Sequence, residues 1–286
     1  MTTTPVPSPH GFSQLDVFTA VPLRGNPLAV VHGADGLDET RMAALARWTG
    51  LSETTFLLRP TQAGADYRVR IFTPAGELPF AGHPTLGSCH AWLRAGGQPG
   101  GPDIVQECGV GLVRIRRSQG RLAFAAPPLR RAGDVDPATL AQAARGLGIP
   151  PAAILAANWV DNGPAWMAVM LASRAQVLAL EPDHAAMGML KIGVVAPWDP
   201  AVDGTEARFE VRAFAPGLGV PEDPVTGSLN AGIAQWLIGS GRAPDRYVAS
   251  QGTALGRAGR VHVSRETDGI WVGGDVADCI EGRILL

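Results

Sequence analysis

A chain of 286 residues exceeds a usual single core, so length implies about two domains of ~140 residues, and a hydrophobic share of 46% is enough for both cores. The 24 basic and 26 acidic side chains leave a formal charge of −2; no Lys/Arg excess exists to neutralise a phosphate backbone or to seat on an anionic membrane, and both partners are excluded. The three cysteines, Cys89, Cys108 and Cys279, are odd in number and scattered, which fits reduced thiols in the cytoplasm better than a disulfide framework, and no apolar run approaches the ~20 residues of a membrane span.

Residues 1–12 lack the basic and apolar regions of a signal peptide and are expected to form a flexible leader. FSQLDVF and PLAVVH then read as strands joined by the turn Arg24-Gly25-Asn26-Pro27. Asp38 is a helix cap, the apolar positions Met42, Leu45, Ala46 and Trp48 follow at helical spacing, and Gly50 ends the helix. TTFLLR and YRVRIF are strands. A Pro/Gly-rich loop over 74–82 leads into a helix from about Pro84 to Ala95, and strands near 103–107, 111–117 and 121–126 follow. PPLRRAGDVDP at 127–137 has linker composition and divides a first domain, 13–128, from a second, 129–275.

The second half opens with a helix at Asp136-Pro137, a cap followed by Pro at the first helical position. NWV and WMAVML flank the turn Asn162-Gly163-Pro164. Short helices near 174–180 and 183–189, the strands LKIGVVA and RFEVRAF, a loop to Glu222 and a long helix through Ile238 come next. SQGTALGRAGRVHVS and GIWVGGDV close the chain as strands around a Gly-rich turn. The helix after Glu222 is apolar on most faces through Leu229, Ala231, Ile233, Ala234, Trp236 and Leu237, which marks it as buried. The expected class is α/β: two pseudosymmetric domains, each a curved, mostly antiparallel sheet wrapped around a central helix.

The pseudosymmetry is written in the chain. RVRIFTPAGELPFAGHPTLGS at 68–88 returns as EVRAFAPGLGVPEDPVTGS at 210–228. With one two-residue gap, Val69, Arg70, Phe72, Pro74, Pro79, Pro84, Gly87 and Ser88 fall on Val211, Arg212, Phe214, Pro216, Pro221, Pro224, Gly227 and Ser228. Each copy ends at a helix N-terminus, where unpaired N–H groups and the positive end of the dipole attract a carboxylate. Gly82 and Gly227 let a ligand approach that backbone. Two such helix starts facing one cleft suit a small anionic metabolite. Before the repeated Pro stand His83 in one copy and Asp223 in the other. Asp223-Pro224 also reads as an ordinary cap and first helical residue; histidine is a mediocre cap, so His83 is harder to explain that way.

GNPLAVV at 25–31, LSETTF at 51–56, RIFTPAGELPFAGHPTLGS at 70–88, VRAFAPGLGVPEDPVTGS at 211–228 and SQGTALGRAGRVHV further on resemble the signature segments of the PhzF-like isomerase family, named for phenazine biosynthesis. The resemblance runs from about residue 13 to the end of the chain. It implies the diaminopimelate-epimerase-like fold, an active site between the two domains, no cofactor, no metal, and a homodimer. In that fold the final strand, here 276–286, can rejoin the first domain.

Residue by residue, the resemblance makes Glu53 of SETTF the acidic group that moves the proton, and His83 of GHPT the site histidine. It makes Asp223 and Ser228 of DPVTGS substrate-orienting groups, and it places the backbones of Gly82 and Gly227 against the ligand. The chemistry suits these types. Moving a C–H proton beside a carboxyl-bearing unsaturated system needs one base that removes it and returns it elsewhere, and a carboxylate can do both once desolvation lifts its pKa from ~4.3 toward neutrality.

Two other readings belong to the same fold. Amino-acid or hydroxyproline-type epimerases and racemases carry a cysteine at each helix start; here those places hold His83 and Asp223. Cys108, in Glu107-Cys108-Gly109, imitates an epimerase tripeptide but follows the repeat and has no partner, and Cys89 reads as core. A non-catalytic small-anion-binding protein is the second, but binding alone gives no reason for a carboxylate such as Glu53 beside an anionic ligand. The six histidines form no metal-ligating pair, and GTALGRAG at 252–259 lies between strands, unlike a dinucleotide loop.

Overall fold

The computed structural model describes residues 8–118 and 120–286. Its first half runs β1 (Pro9–Val17), β2 (Asn26–His32), α1 (Glu39–Thr49), β3 (Thr54–Leu58), β4 (Tyr67–Thr73), β5 (Gly76–Leu78), α2 (Gly82–Arg94), β6 (Ile104–Cys108), β7 (Gly111–Ser118) and β8 (Arg121–Ala125). Then come β9 (Arg131–Gly133), α3 (Pro137–Leu147), β10 (Ala156–Asp161), β11 (Trp166–Met170), α4 (Arg174–Leu178), α5 (His184–Met187), β12 (Lys191–Pro197), β13 (Phe209–Ala215) and β14 (Val220–Asp223). The chain ends with α6 (Gly227–Gly239), β15 (Arg246–Gln251), β16 (Gly259–Glu266), β17 (Gly269–Gly274) and β18 (Val276–Leu285). Among the described residues no helix is long and apolar enough to cross a membrane.

The repeat extends well beyond the 21 residues of its first copy, through the whole hydrogen-bonding ladder. In the first half β1 pairs antiparallel with β2, β2 parallel with β3, β3 antiparallel with β4, β4 antiparallel with β5 and parallel with β6, and β6 to β8 form a meander. In the second half β10 to β17 repeat every one of these pairings in the same order and sense. The halves exchange strands. β9, which follows the last strand of the first half, pairs with β10; β18, which follows the last strand of the second, pairs with β1. A β8–β17 pairing joins the two sheets into one ladder.

Each sheet wraps its own buried helix. α2 packs on β1, β2, β3 and β8, and α6 on β10, β11, β16 and β17. Among the strands beneath them β2, β3 and β11 are buried along nearly their whole length and read as continuous apolar runs, whereas β8 and β16 alternate between buried and half-exposed positions. Leu28 and Val30 of β2 face the shared central core, while Val31 joins Met42, Leu45 and Phe56 under α1. In the second half Val195 of β12 faces inward, and Ile192 and Val194 pack with Leu147, Val177 and Met187 of the outer helices. Each such fully buried aliphatic side chain stabilises the fold by roughly 1.5–3 kcal/mol before entropy is counted. Local signals agree: Asp38 accepts from the Arg41 amide at 2.9 Å, and Gly50 closes α1 with φ 66°.

Five expectations need correction. Residues 9–12, assigned to the leader, are strand, because β18 supplies a partner that cannot be seen locally: Pro9 lies opposite Leu285 and Phe12 opposite Gly282. Residues 1–7 of that expected leader lie outside the described residues. The linker 127–137 contains β9, recruited by the free edge of β10, and the loops before α2 and α6 contain the hairpin strands β5 and β14. α2 begins at Gly82, before Pro84, and α6 at Gly227, three residues after Pro224. Asp223 is therefore the end of a strand and not a helix cap.

Candidate active site

Four chain segments converge where α2 and α6 begin. The Gly25 amide donates to Asp16 Oδ2 at 2.9 Å, fixing the turn that delivers Asn26, fully buried, as the first residue of β2. Glu53 sits just ahead of β3, in parallel register with β2. His83, 4% exposed, is the second residue of α2. Asp223 ends β14.

The structure brings Glu53, His83 and Asp223 together around Asn26. The Asn26 Nδ2 amide donates to Asp223 Oδ1 at 2.8 Å and to the Val225 carbonyl at 2.9 Å, and lies 3.3 Å from His83 Nδ1. On the other side of the ring, His83 Nε2 is 3.4 Å from Glu53 Oε2. Both of those atoms are buried without a geometrically good hydrogen bond. Buried polar atoms are nearly always paired, and here two unpaired ones stand side by side.

A second layer holds Asp223. The Thr226 hydroxyl donates to Asp223 Oδ2 at 2.6 Å. Gln251 Nε2 donates to the Asp223 carbonyl and to Thr226 Oγ1, both at 3.0 Å, while Gln251 Oε1 accepts from the Thr226 amide at 3.0 Å and from Asn230 Nδ2 at 2.8 Å. This side chain satisfies groups that a helical turn would otherwise pair, and so it delays the start of α6 past Pro224.

Burial sets the protonation pattern. Desolvation, reinforced by the charge of Asp223, pushes the Glu53 carboxyl up to about 8. Desolvation also raises Asp223 to about 6, against the hydrogen bonds from Thr226 and Asn26. His83, with no compensating charge strong enough to offset its burial, falls to about 3. At neutral pH the imidazole is neutral, Asp223 is mainly ionised, and Glu53 holds its proton while remaining close enough to neutrality to release it.

The glycines and the serine are placed differently from one another. A Cβ on Gly82 would lie 2.9 Å from Gly227 Cα and 2.9 Å from Phe124 Cζ, so the clearance expected for a ligand is used by the helix starts to touch each other. Neither α2 nor α6 has a side-chain cap. Ser228 is half-buried, and its hydrogen bonds run to Trp166 Nε1 at 3.1 Å and, through its carbonyl, to Asn162 Nδ2 at 2.8 Å, away from the carboxyl cluster. Cys89 is fully buried with its thiol pushed up to about 12 by desolvation, and Cys108 ends β6 with its thiol likewise raised. Neither sulfur stands at a helix start.

Asn26, Thr226 and Gln251 were not singled out from the sequence. One signal was available: Asn26 and Asn162 occupy the equivalent turns of the two halves, and each donates to a carbonyl at the beginning of α6, Val225 and Ser228 respectively.

A model of the phenazine biosynthesis-like protein family (PhzC-PhzF) matches residues 15–280. The chain is 35% identical to antisense-enhancing sequence 1 of Schizosaccharomyces pombe, covering 97% of this chain and 99% of that one. It is 34% identical to the trans-2,3-dihydro-3-hydroxyanthranilate isomerase of Pseudomonas aeruginosa, covering 97% of this chain and 100% of that one. Its fold matches a crystal structure of a PhzF-family protein from Bacillus anthracis with a TM-score of 0.82 at 22% identity, over 98% of this chain and 100% of the other.

Proposed function

The chain belongs to the phenazine biosynthesis-like family, and on that premise we propose that this isomerase shifts a proton within a small, carboxylate-bearing, unsaturated metabolite, with Glu53 removing the proton and returning it. The observation that carries the reading is the Glu53–His83–Asn26–Asp223 cluster at the junction of the two helix starts. A carboxyl raised to about 8 gives and takes a proton with similar ease near neutral pH, which is what a single group serving as base and then acid requires. The uncapped first turns of α2 and α6 supply amides for the ligand carboxylate, Asp223 orients polar groups of the ligand, and Ser228 adds a hydroxyl at the first turn of α6.

The test is proton exchange in deuterated water, with trans-2,3-dihydro-3-hydroxyanthranilate as the first probe because it is the substrate named for the Pseudomonas aeruginosa relative, followed by other small unsaturated carboxylates. Wild type is expected to incorporate deuterium into a substrate of this class, and Glu53→Gln to lose ~10²–10⁴ of that rate with binding retained. Exchange by Glu53→Gln at the wild-type rate would remove Glu53 from the proton path.

A further inference from the structure

We propose that Asn26 is a positioning residue that holds His83 as the Nε2–H tautomer, so that the ring presents its one proton to Glu53. The inference rests on the reading of Glu53 as the proton-transfer group, and it adds which atoms of the site can and cannot carry the proton.

The argument begins with the orientation of an amide. The Asn26 atom facing the Val225 carbonyl at 2.9 Å must be the nitrogen, because a carbonyl oxygen can only accept, and Asp223 Oδ1 at 2.8 Å is a second acceptor on the same atom. The two amide hydrogens are thereby directed at two oxygens. His83 Nδ1, 3.3 Å from that same nitrogen, meets a donor with no lone pair to offer. A proton on Nδ1 would point at the amide hydrogens, so Nδ1 carries the lone pair and Nε2 the hydrogen.

The consequence falls on Glu53. With the hydrogen on Nε2, the ring turns its one N–H toward Glu53 Oε2, 3.4 Å away, an oxygen that can accept whether the carboxyl is ionised or not once the two groups close to hydrogen-bond distance. That leaves Oε1 as the oxygen that carries and exchanges the proton. It also removes His83 as an alternative base: Nε2 has no free lone pair, and the lone pair of Nδ1 is closed off by a fully buried side chain. Ser52 lies close by, its hydroxyl 3.5 Å from Asn26 Oδ1 and near enough to Glu53 to favour its ionised form. One carboxamide thus sets the ring on one side and braces Asp223 on the other.

The test reads the ring directly and needs no substrate. Protein carrying ¹⁵N-histidine would be examined by two-bond ¹H–¹⁵N correlation between about pH 6 and 9, a window that spans ordinary imidazole titration, with His83→Gln assigning its signals among the six histidines. The expected pattern is a neutral Nε2–H ring that does not titrate. In Asn26→Asp the side chain accepts where it donated, and the ring should move to Nδ1–H or become charged; if that variant does not fold, Asn26→Ser, too short to reach the ring, should give averaged tautomers. A wild-type ring found as Nδ1–H or as imidazolium overturns the proposal, and so does an unchanged Nε2–H ring in the folded variants. Full exchange activity in Glu53→Gln would refute the reading of Glu53 without moving these signals, which keeps the two failures apart.

Discussion

Gly82 and Gly227 meet backbone to backbone: a Cβ on Gly82 would stand 2.9 Å from Gly227 Cα, and one on Gly227 3.0 Å from Gly82 Cα. This contact is out of step with the internal repeat, which aligns Gly227 with Gly87. The pseudosymmetric halves are therefore docked through non-equivalent residues. His83 follows directly on one of the touching glycines, and Asp223 lies four residues before the other, so the spacing of the carboxyl–imidazole cluster depends on how closely the helices abut.

Gly82→Ala should consequently disturb chemistry more than stability. Overpacking costs about 1–3 kcal/mol, while a displacement of ~1 Å at a reacting group can cost ~10²-fold in rate. The expected result is a folded protein with a modestly lowered Tm and proton exchange reduced by at least ~10-fold. Gly36→Ala, where an added Cβ meets nothing within 4 Å, is the control and should match wild type. Equal exchange rates in the two variants would show that the helix contact does not set the site.

Stability should depend on pH through the same residues. Glu53 has a folded-state pKa raised to about 8, so the stability it contributes is complete below its unfolded value of ~4.3 and is lost as pH rises through 8. His83, depressed to about 3, works in the opposite sense: its contribution is complete above the ordinary ~6.5 and fades as pH falls toward 3. Thermal melts should show Glu53→Gln gaining Tm over wild type progressively as pH rises from about 4.3 to about 8 and by a constant margin above that, and His83→Gln flattening the acid limb. A pH-independent difference between Glu53→Gln and wild type would mean that the carboxyl is not held in its protonated form.

Much of the fold and part of the site could be read in the chain, for different physical reasons. The apolar runs of β2, β12 and β13, the Asp38 and Asp136 caps, and the repeated segment are local signals. They place the long elements, and the repeat points to His83 and Asp223; Glu53 enters only through the resemblance of LSETTF at 51–56 to a family segment. The short strands β5, β9 and β14 carry no such signal; they are strand because a neighbouring edge is free, and β9 even hides in an Arg/Pro-rich stretch. Pro224 looked like a helix start because Asp-Pro is a good local one, but the Gln251 side chain, bonded to the Thr226 amide from 25 residues away, overrides it. Asn26 reads locally as a turn residue, because its partners, Asp223 and Val225, are 197 and 199 residues distant.

The thiols stand apart from the Glu53, His83 and Asp223 cluster. Cys89 is sealed in the core beside Tyr67, and its raised pKa leaves almost no thiolate at neutral pH. Cys89→Ala should therefore lower the Tm through a small cavity costing about 1–2 kcal/mol and leave exchange within ~3-fold of wild type, and Cys108→Ser should behave likewise. Loss of turnover beyond ~10-fold in either, with the fold intact by circular dichroism, would bring sulfur chemistry back.

The electrostatic link between the two carboxyls gives the last prediction. Burial is the larger cause of the high Glu53 pKa, and the charge of Asp223 is the second. Asp223→Asn deletes only the second and keeps the size of the side chain. Ionised Glu53 is then opposed by desolvation alone, so its pKa should fall from about 8 toward neutrality, though not to the ordinary carboxyl value. In the profile of kcat/KM against pH, the rise that reports Glu53 losing its proton should move to lower pH in the variant. The maximal rate should fall as well, since an amide at position 223 cannot accept as a carboxylate does from Asn26 and Thr226. A merely structural Asp223 would lower the plateau and leave the midpoint where it was; a midpoint that moves to higher pH would contradict the charge coupling outright.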